Sequence, residues 1–188
     1  MTSPDLEIRM EAYPGLIGRY GNGDSGEGVQ LLLRAHPEQA ERIKLALISS
    51  LEAANAVQAD TESKYLHFGE GFAEAFSDHW ADLIWAVGAL RDPRAVKALL
   101  GGLGTGDMSA NFLADLFPHA VDALVEMSQK PPTRNSRGEG LDYRGAALAT
   151  LELSLTRLAL MRAYPEAVEK ARRGLLAGLD NPDPGLRS

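Results

Sequence analysis

The chain has 188 residues and a mass of 20.2 kDa, enough for one domain with a sizeable core. It contains no cysteine, which excludes disulfides, thiolate metal sites and a cysteine nucleophile. A formal net charge of -7 opposes nucleic-acid binding, which needs a basic face to displace counterions, and the longest uncharged apolar run, Leu83 to Leu90, falls far short of the ~20 residues that span a bilayer. Met1 to Glu7 lacks the basic and apolar regions of a secretory leader, so a cytoplasmic protein is expected.

Residues 1–28 read as an irregular, flexible segment, with Gly15, Gly18, Gly21, Gly23, Gly26 and Gly28 between Tyr13 and Gly28. Gly21 to Gly26 matches the G-x-G-x-x-G dinucleotide fingerprint in letters alone, because no strand precedes it and no βαβ pattern follows. Gly23 Asp24 Ser25 Gly26 resembles the nucleophile segment of trypsin-like proteases. Glu27 departs from that pattern, and a capping box of Asp24 with Glu27 accounts for the residues without catalysis.

Apolar spacing and start signals then predict eight helices, over 29–35, 37–59, 70–90, 93–103, 109–117, 118–129, 141–163 and 165–179. Pro37, Pro93, Pro118 and Pro165 each suit a first helical turn, where the missing N–H is not needed, and Asp92 and Asp107 suit N-caps. Over 70–90, Phe72, Phe76, Leu83, Val87 and Leu90 share one face, widened by Trp80 and Ile84. Over 141–163, Leu141, Leu148, Leu151, Leu155 and Leu158 lie on one face while Leu153 and Leu160 lie off it, so this helix is expected to be covered on two sides. Lys130 to Gly140, with Pro131 and Pro132, reads as a mobile surface loop.

The chain repeats itself. Leu32 to Lys44 returns as Leu160 to Arg172 with proline and charges in place, and Pro93 to Leu100 returns as Pro118 to Val125. Aligning the leucines places Leu47, Leu99, Leu124 and Leu175 at one register, followed twice by small residues, Gly101 Gly102 and Ala177 Gly178, where backbones are expected to approach closely. Self-similarity on this scale points to stacked copies of one helical unit. The stretch Ala89 Leu90 Arg91 Asp92 Pro93 through Leu103 resembles a HEAT-type repeat of the short bacterial, phycobilin-lyase-like class, in which an Asp-Pro turn joins two antiparallel helices. The resemblance implies an all-α, single-domain, irregular α-solenoid of antiparallel helix pairs spanning residues 1–188. It also implies protein recognition along a helical groove, or alternatively a lyase-type subunit holding a small ligand near Trp80, Trp85 and Asp82.

Charged residues give two candidate partner-binding sets. Glu70, Glu74, Asp78 and Asp82 recur every four residues as an acidic stripe, suited to a solvated face, a basic partner or a divalent cation. Arg94, Lys97, Arg172 and Arg173, with Arg42, Lys44 and Lys170, gather on the proline-initiated helices, where pairing with Glu38, Glu41, Glu166 and Glu169 competes with any outside anion. The histidines, His36, His67, His79 and His119, form no H-x-x-x-H or H-E-x-x-H pair. No catalytic residue, metal site or cofactor is therefore assigned, and the partner expected is another protein.

Overall fold

The computed structural model describes residues 25–59, 70–103, 107–130, 133–134, 140–141 and 143–179. Most of the glycine-rich segment, including Asp24 of the expected capping box, and His67 lie outside the described residues. Among the described residues the fold is all-α, with nine α-helices: α1 (Ser25–Ala35), α2 (Ala40–Ala59), α3 (Glu70–Ala89), α4 (Val96–Leu100), α5 (Asp107–Asp115), α6 (Phe117–Gln129), α7 (Tyr143–Leu155), α8 (Leu158–Ala163) and α9 (Pro165–Leu179). Single 3-10 turns, Pro37–Gln39 and Pro93–Ala95, lead into α2 and α4.

The chain divides between Gly101 and Gly102 into two compact units, across the span for which the sequence suggests one array. In the first, α1 packs on α3, and α2 packs on both α3 and α4. In the second, α5 packs on α7, and α6 packs on both α7 and α9. The order is alike in both: first helix on third, second on third and on the last, which is the fourth helix of the first unit and the fifth of the second. In each helix pair a proline opens the second member or its leading turn, at Pro37, Pro93, Pro118 and Pro165, where no intrahelical N–H bond is lost.

The first unit has its expected apolar core: Phe76, Leu83, Ile84 and Val87 on α3, Leu47 and Leu51 on α2 and Leu99 on α4 are all buried. In the second unit α7 is covered on more than one side, by α5, α6 and α9. It carries Leu151, Thr150 and Ser154, each with no exposed surface. The two buried hydroxyls donate back to helix carbonyls four residues earlier, Thr150 to Ala146 O and Ser154 to Thr150 O, both at 2.7 Å.

Three sequence expectations are corrected. The helix expected over 141–163 is broken at Thr156 and Arg157, although neither proline nor glycine stands there. The backbone tightens into three-residue bonds, Thr156 N to Leu153 O and Arg157 N to Ser154 O, and the Thr156 hydroxyl takes Leu153 O as well. Arg157, released from the helix, forms an ion pair with Asp115 of α5 and donates to Asn111 O at 3.4 Å. Leu141, read as the start of that helix, pairs instead with Thr133 in a short antiparallel ladder of Thr133–Arg134 with Gly140–Leu141, whose other residues fall in the stretch read as a loop. The register of the last repeat also shifts. Leu47, Leu99 and Leu124 have no exposed surface, yet Leu175 is half-buried and its neighbour Leu176 is 59% exposed. The inner face of α9 is built from Val168, Ala171, Gly174 and Gly178. A methyl group at Gly174 would stand 2.8 Å from Val125 of α6, and one at Gly178 would stand 2.9 Å from Leu148 of α7, so only glycine lets α9 lie this close.

The turn from α3 to α4 holds Arg91 at φ 50, the left-handed region usually left to glycine. Replacing it with glycine is expected to raise stability by up to about 1 kcal/mol, the strain of a side chain there less the added freedom of the unfolded chain. Urea unfolding reads the difference, and a loss of stability would show that the Arg91 side chain holds the turn.

Candidate functional site

The sequence-predicted charges are distributed on the two units as follows. Asp92 is buried and caps the turn before α4, its side chain accepting from Arg94 N at 3.0 Å, as the Asp-Pro spacing predicts. Arg94 folds back over it, donating Nε to Asp92 at 2.9 Å and reaching Glu41 of α2 at 2.9 Å. Lys44 joins Glu41 at 3.0 Å. The Arg94 guanidinium holds the Asp92 carboxyl down to about 2, while Lys44 and then Arg94 hold Glu41 below its ordinary range. Lys97 stands 3.1 Å from Glu52 of α2. Within the first unit, Arg94 and Lys97 thus face carboxylates of the neighbouring helix and tie α4 to α2.

Loss of the Asp92 cap is expected to be measurable. Its lowered pKa stabilises the fold above the unfolded value near 3.8 and ceases to do so as pH falls through about 2. Asp92→Ala is therefore expected to cost about 1–2 kcal/mol at pH 7, after allowance for the half-exposed Arg94, with the gap from the parent closing between pH 4 and pH 2. Urea titrations across that range test it; a gap independent of pH would separate the cap from the charge.

In the second unit Lys170 of α9 pairs with Asp122 of α6, and Arg173 lies 3.9 Å from Glu169 on its own helix. Arg172 is exposed on α9. Exposed pairs of this type contribute roughly 0.2–1 kcal/mol each, too little to hold the fold by themselves.

The acidic stripe presents a different picture. Asp78 is exposed and Asp82 half-buried on α3; the side chains of Glu70 and Glu74 lie outside the described residues. Trp85 continues the same stripe one turn on and is 45% exposed. Its spacing of seven from Asp78 and three from Asp82 sets it on that side of the helix, although the sequence reading groups Trp85 with Trp80 beside a small ligand. Trp80, five residues earlier, turns inward: it is buried and donates Nε1 to Asn55 Oδ1 of α2 at 2.8 Å. The two indoles therefore occupy opposite environments. On α1, which packs against α3, Leu31 is 36% exposed.

Asn55, unremarked in the sequence, ties three helices of the first unit. Besides receiving the Trp80 indole, it donates Nδ2 to Ala98 O at 2.7 Å, a carbonyl in the last turn of α4 with no partner within the helix. Of the histidines, His79 is buried on α3, His36 half-buried and His119 exposed. No group of three or more metal-ligating side chains is present among the described residues. Among the same residues no helix is long and apolar enough to cross a membrane. No family model matches the chain, and no curated protein or solved structure matches it either.

Proposed function

We propose that the chain is a HEAT-like recognition module of the cytoplasm, and that the exposed stripe of α3 receives a basic segment of another protein. The observation that carries this reading is the alignment of Asp78, Asp82 and Trp85 along one side of a single helix. An exposed tryptophan beside carboxylates supplies both a large apolar contact and a charge preference, the combination common at interface hot spots. Charge asymmetry supports it: residues 1–101 hold nine Lys and Arg against fifteen Asp and Glu, net -6, while residues 102–188 hold ten against eleven, net -1. The basic residues Arg94 and Lys97 face carboxylates within the first unit.

Affinity capture from native lysate with the wild-type chain, Trp85→Ala and Asp78→Lys tests the reading. A protein retained in stoichiometric amount by the wild type should fall at least tenfold with either variant, while circular dichroism stays unchanged. Equal retention by all three would remove the α3 stripe from the interface. Absence of any stoichiometric protein would remove the recognition reading itself.

A further inference from the structure

We draw no further inference here: the strongest candidate, the outer face of α9 on which Leu176 stands in solvent beside Arg172 and Arg173, is an unpartnered helix face and nothing in the structure shows what covers it.

Discussion

Phe117→Ala is expected to destabilise the second unit by about 3–5 kcal/mol, the range for emptying a fully buried aromatic site. Phe117 opens α6 with no exposed surface, and the same stretch buries Leu113, Leu116, Ala120, Val121 and Leu124. Backbone relaxation into the vacancy is restrained, because α6 is packed on α7 and α9, and the α6–α9 contact is closed down to Gly174 against Val125. Urea unfolding followed by circular dichroism gives the magnitude, and hydrogen exchange gives the place: amides of α6, α7 and α9 should lose protection first. A cost below about 1 kcal/mol would mean that Phe117 is not a packed core residue.

Gly101→Ala is expected to cost the first unit about 2–3 kcal/mol, against the usual sign for such a change. Gly101 has helical dihedrals, φ -65 and ψ -21, and lies on the surface, so alanine there would ordinarily stabilise by reducing the freedom of the unfolded chain. Here the added methyl would stand 2.3 Å from Asn55 Nδ2 and 2.7 Å from its Cγ. Asn55 cannot yield without releasing the Trp80 indole and the Ala98 carbonyl, and a polar group stranded in a part-buried site costs about 1–3 kcal/mol. The test is a double-mutant cycle. In an Asn55→Ala background the same glycine substitution should become neutral or stabilising, with Trp80 fluorescence following the loss of its bond. Additive losses would show that the cost of alanine at Gly101 has a source other than Asn55.

Much of the fold is legible in the residues because its determinants are local. The four prolines mark the second helix of each pair or its leading turn, and Asp92 before Pro93 announces its own cap. The features missed depend on distant partners. The break at Thr156 is a matter of hydroxyls back-bonding and of Arg157 reaching α5, neither of which leaves a periodic trace. Asn55 bonds residues 25 and 43 positions away, so its role is invisible at its own position. The Gly101 Gly102 pair did signal a close approach, but the neighbour at Gly101 is a side chain where a backbone was expected. For the last helix the leucine alignment misled, since Pro-x-Ala-Val is the element shared by Pro93, Pro118 and Pro165, and the valine three residues on, Val96, Val121 and Val168, is buried each time. At the candidate site the charges were foreseen. Their intramolecular pairing was foreseen in part, for Glu41 and Glu169, and the contribution of Trp85 became visible only with its exposure.

The common packing order of the two units bears on how fast they form. When the first helix meets the third and the second meets the third and the last, the main contacts of each unit bridge only one to three connections. Little loop entropy must be spent before such contacts form, and helical proteins of this low contact order fold in about microseconds to milliseconds. A nascent chain could accordingly pack α3 on α1 and α2 as soon as α3 is complete, before the residues of the second unit are needed.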